Sequence, residues 1–306
     1  MRHRLLAVLA LTVAAAPNAF AGGTLRVVTT LPDLADIAKN VGGDLVSAES
    51  IAKGTQDPHF VDPKPSLLLR LSRADVFVEI GLDLEIGWAP PLLDSARNAA
   101  ILPGGPGFLD ASSGVTILEK PSGAVSRAQG DVHPNGNPHY WLDPANGARI
   151  ADEMADAFSK LKPGSAETFH KNAAAWKEKL AAKTVEWKKR MAPYKGSSIV
   201  VYHRSWTYLT ELFGLVAEAE IEPKPGIPPS PGHTKEVMDT IRSKNVKVIV
   251  QEPYYAPSEG QAIAERTGAK FVVLPSMVGG SSDAATYMDL FEAIVTRLEG
   301  AFGVKK

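Results

Sequence analysis

The feature that most constrains this fold is one long helical stretch between two runs of alternating strands and helices. From Ser165 to Met191, apolar residues recur at spacings of three and four, and Pro193 and Gly196 follow the stretch. At 1.5 Å per residue, about 27 helical residues reach about 40 Å, which is longer than one small lobe. We therefore predict a spine helix that joins two lobes.

Short strands that alternate with helices are predicted on both sides of this spine. In the first half the strands are expected at 25–30, 46–51 and 75–80, and in the second half at 199–202, 215–221, 246–251 and 270–274. Such alternation is typical of βαβ units and parallel sheets. Residues 111–138 are rich in Ser, Gly, Pro and Asn without periodicity, and we predict a mobile loop there.

These patterns predict an α/β fold with two doubly wound parallel-sheet lobes that face each other across a cleft. The expected divisions are a first lobe over 22–163, a linking helix over 164–193 and a second lobe over 194–306. Removing a leader of 21 residues from the 306 leaves enough chain for about two domains of about 150 residues.

The first residues have the pattern of an export signal. Arg2 and Arg4 precede an apolar run, and Ala19-Phe20-Ala21 forms a cleavage site with small residues at its first and third positions. The run is shorter than the roughly 20 apolar residues that a membrane span needs. We predict that residues 1–21 are a signal peptide cleaved after Ala21, and that the mature chain is exported.

Composition narrows the compartment and the partners. The sequence contains no cysteine, which excludes disulfides, thiolate metal sites and the lipid-bearing cysteine of a bacterial lipoprotein. An unanchored exported protein of this kind is expected in the periplasm. Charged residues are mixed, and the net charge is −1 at pH 7, so we expect no nucleic-acid partner and a monomer that binds no anionic membrane surface.

Three histidines occupy the positions where an open α/β sheet binds its ligands. His59 follows the second predicted strand, His139 lies after the predicted loop, and His203 directly follows the strand at 199–202. Loops beyond the carboxyl ends of parallel strands form such crevices. A single histidine there is more often a hydrogen-bonded loop residue than a metal ligand, so the case depends on all three converging.

The other histidines of the predicted mature chain are weaker candidates. We place His170 on the solvent side of the spine, His233 in a loop rich in Pro and Gly, and His133 in the predicted mobile loop. There, His133 could bind ions only transiently.

The sequence resembles a known family, the metal-ion solute-binding proteins of ABC transporters, and most closely its periplasmic zinc-binding branch. The resemblance covers almost all of residues 24–300. It depends on motifs that include Asp57-Pro58-His59, Asn137-Pro138-His139-Tyr140-Trp141, Tyr202-His203 and Glu222-Pro223-Lys224-Pro225-Gly226. The family's fold has two α/β lobes joined by one long rigid helix, with the metal site in the cleft between the lobes.

The resemblance also implies ligands and cargo. Its first three metal ligands correspond to His59, His139 and His203. Manganese-binding relatives usually carry a carboxylate at the third position, so His203 favours Zn²⁺, and imidazole nitrogen is a preferred ligand of zinc. The implied function is capture of Zn²⁺ in the periplasm and its delivery to a membrane permease, with a periplasmic metallochaperone as a further conceivable partner.

The resemblance does not identify the fourth metal ligand, and we predict that it is Glu252. In a lobe of strand order 2-1-3-4, the first and third strands are neighbours, so the loops after them, which carry His203 and Glu252, open into one crevice. Glu252 could instead orient a ligand imidazole. Asp283, Glu222 and water are the alternatives.

Three other functions are weighed against zinc transport. Manganese transport is the nearest alternative. A secreted zinc hydrolase would also use three histidines, but the sequence has neither a His-Glu-x-x-His helix nor a Gly-x-Ser-x-Gly elbow. A surface adhesin is disfavoured by the missing lipid-anchor cysteine. We therefore predict a binding protein and not an enzyme.

Overall fold

Each half of the chain folds around a four-stranded parallel sheet. The computed structural model describes residues 23–62, 64–123, 133–224 and 226–303. In the first half the strand order is β2-β1-β3-β4. Its elements are β1 (Leu25–Thr29), α1 (Pro32–Gly42), β2 (Val46–Ser50), α2 (Pro65–Arg73), β3 (Val76–Glu79), α3 (Ala89–Ala96), β4 (Phe108–Asp110) and α4 (Pro144–Leu161).

The second half repeats the same strand order. Its sheet runs β6-β5-β7-β8, again with every pair parallel. After the spine helix α5 (Ala166–Met191) the elements are β5 (Ser198–Val201), α6 (Thr207–Phe213), β6 (Val216–Glu220), α7 (Pro231–Ser243), β7 (Val248–Gln251), α8 (Ser258–Thr267), β8 (Lys270–Val273) and α9 (Tyr287–Phe302). The predicted fold class of two parallel-sheet α/β lobes is confirmed, and the predicted lobe bounds stay a prediction.

The spine helix and α9 tie the two lobes together. Helix α5 packs against α1 and α4 of the first lobe and against α6 and α9 of the second. Its buried face, Phe169, Ala173, Trp176, Leu180 and Trp187, follows the predicted spacing. One apolar core contains residues of both sheets, and a smaller core lies on the far face of the second sheet.

Direct hydrogen bonds also cross between the lobes. The Trp141 indole donates to the Ser276 carbonyl at 2.8 Å, and the Val278 amide donates to the buried Asp33 carboxylate at 3.2 Å. Gly54 packs so closely that an added Cβ would lie 2.2 Å from the Val278 carbonyl oxygen. The loop that leads to His59 is therefore held against second-lobe backbone.

Several elements were missed or misplaced by sequence reasoning. The fourth strand of the first lobe, β4, has only three residues, too few for an alternating pattern to show. The sequence predicts a loop at His233, but this residue lies in the first turn of α7. The Ser230 hydroxyl caps this helix, and Pro231 is its first residue. Within 111–138, the described residues form no helix or strand, and the predicted mobility of that range stays a prediction.

The predicted signal peptide and its cleavage site lie outside the described residues. Across the described ranges, no helix combines the length and apolar character that a membrane crossing requires.

Candidate metal centre

Three loops at the carboxyl ends of the strands bring His59, His139 and His203 together. His59 stands in a turn after β2, and His139 immediately precedes a short 3₁₀ turn at Tyr140–Leu142. One residue, Tyr202, separates His203 from the end of β5. The first lobe thus supplies two of the three imidazoles and the second lobe supplies one.

The three rings converge on one point inside the protein. One ring nitrogen from each histidine lies within 4.8 Å of the others, and the ring centroids are 5.2, 5.2 and 5.3 Å apart. All three side chains are buried, with 2–8% of each residue exposed. Among the described residues, this is the one cluster of histidine and acidic side chains whose geometry could hold an ion.

Each of these histidines has its Nδ1 nitrogen paired with a side-chain oxygen. The partners are Asp57 for His59 at 2.8 Å, Asn137 for His139 at 2.9 Å and Glu222 for His203 at 2.6 Å. With Nδ1 donating to an oxygen, Nε2 is left unprotonated and available to a metal. Nε2 of His139 is buried without a hydrogen-bond partner in the described structure.

The orienting oxygens are themselves held in place. The amide of Asn137 donates to the Arg204 carbonyl at 2.9 Å, and the second oxygen of Glu222 accepts from the Gly226 amide at 2.8 Å. The Trp88 indole donates to the Pro58 carbonyl at 2.9 Å, which fixes the residue before His59. The groups that orient the imidazoles are therefore fixed by contacts of their own.

The electrostatics of the centre favour a neutral His139 and an ionised Asp57. Burial, reinforced by the charges of His59 and His203, lowers the pKa of His139 well below its usual range. Burial alone would raise the pKa of Asp57, but its hydrogen bonds with His59 lower that pKa below the usual value. A deprotonated carboxylate beside a neutral imidazole is the state that binds a metal ion.

The predicted fourth ligand, Glu252, lies in the same region but apart from the histidine cluster. It is fully buried, neither carboxylate oxygen has a hydrogen-bond partner in good geometry among the described residues, and it is not part of the set within 4.8 Å. Burial raises its pKa to about 8, which the nearby Ser205 hydroxyl opposes and the charges of Glu222 and Asp57 reinforce. Its role as a ligand stays a prediction.

The two alternative carboxylates have other partners. Asp283 is half exposed and pairs with Arg297 at 2.6 Å and with the Ser281 hydroxyl at 2.6 Å. Glu222 is buried and orients His203, the role that the sequence argument had kept open for Glu252.

His133 is the residue at the centre that sequence reasoning undervalued. Its Nε2 lies 3.4 Å from Nε2 of His59, and the two rings stack with centroids 5.4 Å apart. Burial and the charges of His59 and His203 lower the pKa of His133 to about 3. The composition of residues 111–138 hid this placement, because a loop without periodicity gives no indication of what its side chains contact.

A buried set of imidazoles suits a borderline-soft ion such as zinc. A family model described as the periplasmic component A of a zinc-uptake complex, ZnuA, matches residues 27–301. This chain belongs to the ZnuA family.

Individual ZnuA-like proteins resemble the chain at moderate identity. The zinc-binding lipoprotein AdcA of Streptococcus pneumoniae is 27% identical over 257 residues, which are 83% of this chain but only 50% of AdcA. The iron-binding protein YfeA of Yersinia pestis is 26% identical over 289 residues, 91% of this chain and 86% of YfeA. A crystal structure of ZnuA superposes with a TM-score of 0.77 at 26% identity, covering 92% of this chain and all of that one.

Proposed function

We propose that this chain is the solute-binding component of an ABC metal importer and that its cargo is Zn²⁺. The convergence of three buried histidine nitrogens from both lobes carries the proposal. His59, His139 and His203 bind the ion through Nε2, and Asp57, Asn137 and Glu222 hold the rings in the binding orientation. Membership of the ZnuA family supports this function.

Zinc is proposed over manganese and iron because of the donor atoms. Imidazole nitrogens suit Zn²⁺, whereas carboxylate-rich oxygen sites suit Mn²⁺. The related proteins include both zinc and iron binders by name, so the proposal of zinc rests on the ligand chemistry and not on the relationship. A catalytic role is not proposed, because the matched family is described as a component of a zinc-uptake complex.

The delivery route follows from the family and the sequence. We propose export to the periplasm with cleavage after Ala21, function as a monomer, and release of the ion to a permease in the inner membrane. Mass spectrometry of the exported protein tests the first point, since retention of residues 1–21 contradicts it. Light scattering after gel filtration tests the second.

Metal analysis tests the function directly. Protein purified without chelators is expected to contain one Zn²⁺ per chain, and Mn²⁺ offered in excess should not displace it. The same preparation should show no turnover of ester, peptide or phosphate substrates. Tight Mn²⁺ binding with weak Zn²⁺ binding would support the manganese alternative, and turnover dependent on His203 would support a hydrolase.

A further inference from the structure

A fourth imidazole stands beside the three that the proposed function uses. Nε2 of His133 is 3.4 Å from Nε2 of His59, and the His133 ring centroid lies 6.4 Å from that of His139. An N–H···N hydrogen bond is normally nearer to 3.0 Å. Two nitrogens bound at about 2.0–2.1 Å to one tetrahedral zinc ion lie about 3.3–3.4 Å apart. The separation between His133 and His59 therefore matches two ligands of one ion, while the nitrogens that all lie within 4.8 Å of one another are those of His59, His139 and His203.

The His133 ring is oriented in the same way as the other three. It has a hydrogen bond with the backbone of Leu82, which corresponds to the oxygen partners of His59, His139 and His203. Its Nε2 faces the cluster. His133 thus combines an anchored ring with an Nε2 nitrogen in contact with that of His59.

The backbone near the contact between His133 and Leu82 adopts unusual conformations. Gly81, Leu82 and Asp83 are consecutive residues with φ of 74°, 54° and 65°, a left-handed run that is costly for the two non-glycine residues. Strain of this kind persists where surrounding contacts impose it, often at ligand sites. The Asn135 amide donates to Asp83 at 3.2 Å, so the strained turn and the His133 segment are also joined by side chains.

Gly136 allows the chain to pass from His133 to His139 within six residues. Its φ is 107°, and a Cβ there would lie 2.4 Å from the Ile117 side chain. The following residue, Asn137, donates its amide to the Leu118 carbonyl at 2.9 Å. The segment is therefore packed against Ile117 and Leu118.

We infer that His133 is the fourth ligand, so that the centre is a four-imidazole site and Glu252 stays outside the coordination sphere. This inference rests on the proposed function, because it names a ligand of the same ion. A site with four neutral nitrogen donors keeps the full ionic charge and offers no carboxylate oxygen. It therefore strengthens discrimination against Mn²⁺, Mg²⁺ and Ca²⁺.

The test compares three single variants in the full mature chain: His133→Ala, Glu252→Ala and His170→Ala. Zn²⁺ affinity is measured by competition with a chromophoric chelator, and the number of imidazoles around bound zinc is measured by X-ray absorption. His133→Ala should weaken binding by about 100-fold and reduce the imidazole count from four to three. Glu252→Ala and the exposed control His170→Ala should keep four imidazoles.

A Co²⁺-loaded sample gives an independent reading, because its visible spectrum changes when one nitrogen ligand is lost. His133→Gln, which keeps the side-chain volume, guards against loss of folding, and its metal-free melting temperature should equal that of the parent protein.

Three imidazoles in the parent protein, or full affinity in His133→Ala, would overturn the inference. A loss confined to Glu252→Ala would assign the fourth position to that carboxylate instead. Failure of the proposed function looks different. In that case alanine at His59, His139 or His203 would also leave Zn²⁺ binding unchanged, whereas failure of this inference alone leaves those three losses intact.

Discussion

The two lobes share one strand order but use equivalent positions in opposite ways. In the first lobe the Thr30 amide donates to Val78 at 2.9 Å, and in the second the Tyr202 amide donates to Val250 at 2.8 Å. The residues that follow, Leu31 and His203, are therefore equivalent. Leu31 is apolar and fully buried, whereas His203 points a ring nitrogen at the metal centre.

The residues that follow the neighbouring strands, β2 and β6, differ between the lobes in the same way. Ala52 donates its amide to the Thr30 carbonyl at 3.0 Å, and Glu222 donates its amide to the Tyr202 carbonyl at 2.9 Å, so these two residues are also equivalent. The second lobe thus has a histidine and its orienting carboxylate where the first lobe has leucine and alanine. Topology fixes where a ligand can stand, and the side chain at that position decides whether the strand end packs or binds.

The largest expected effect is the loss of Zn²⁺ affinity when His203, the ligand from the second lobe, is replaced by alanine. Structural zinc sites have apparent binding free energies of about 10–16 kcal/mol, so losing one of three or four ligands should weaken Zn²⁺ binding by about 100–1000-fold. We expect His203→Ala and His59→Ala to lose affinity alike in calorimetric titration, although the ligands come from different lobes. His170→Ala is the matched control. Wild-type affinity in His203→Ala would remove the second lobe from the site.

Acidification should have the next largest effect. Imidazole must be neutral to coordinate, and its ordinary pKa is about 6.5, so affinity should fall by about 100-fold between pH 8 and pH 5. Because burial lowers the pKa of His139 well below its ordinary value, His139 takes up protons less readily than an ordinary imidazole, and binding should release fewer than three protons. Titrations in buffers of different ionisation enthalpy count these protons. Affinity that stays constant over this range would contradict an imidazole site.

A smaller effect is expected where the second lobe orients its ligand. Glu222→Ala removes the oxygen 2.6 Å from Nδ1 of His203, and loss of such a partner typically weakens metal binding by about 10–100-fold. Glu236→Ala, at an exposed carboxylate on α7, is the control and should bind zinc normally. If Glu222→Ala binds zinc as tightly as Glu236→Ala, then the carboxylate at the position equivalent to Ala52 does not support metal binding.

The smallest effect concerns stability at the contact between the lobes. Burial raises the pKa of Asp33 to about 8, against about 3.9 for an unfolded chain. Between those values the unfolded chain is ionised and the folded carboxyl stays protonated, so this group's stabilising contribution falls as pH rises towards 8. Metal-free Asp33→Asn should therefore gain about 1–3 kcal/mol over the parent protein at pH 8, and less at pH 5. Urea unfolding at both pH values measures this.

Exposed Asp94→Asn is the control for that comparison, and its stability should follow the parent protein at both pH values. A gain for Asp33→Asn that is equal at pH 5 and pH 8 would rule out ionisation as the cause.

The sequence predicted what depends on periodicity and left out what depends on three-dimensional packing. The spine and the strands of both sheets follow from apolar spacing, the 2-1-3-4 order of the second sheet follows from the doubly wound topology expected of such a lobe, and the three histidines follow from strand ends and from the family resemblance. The pairing of Glu222 with His203 joins loops after two neighbouring strands, and the contact of His133 with His59 joins two irregular segments. Neither gives a pattern along the chain.

The core shared by the two lobes also has a consequence for the rate of ion exchange. Opening the lobes like a hinge would expose apolar surface that costs about 25 cal/mol per Å², so a gap of 400 Å², taken as a rough example, costs about 10 kcal/mol. Each 1.4 kcal/mol slows such an event about tenfold. We therefore expect the dissociation rate of the ion to be set by local displacement of the loops that carry His59, His133 and His139, with the two sheets staying in register.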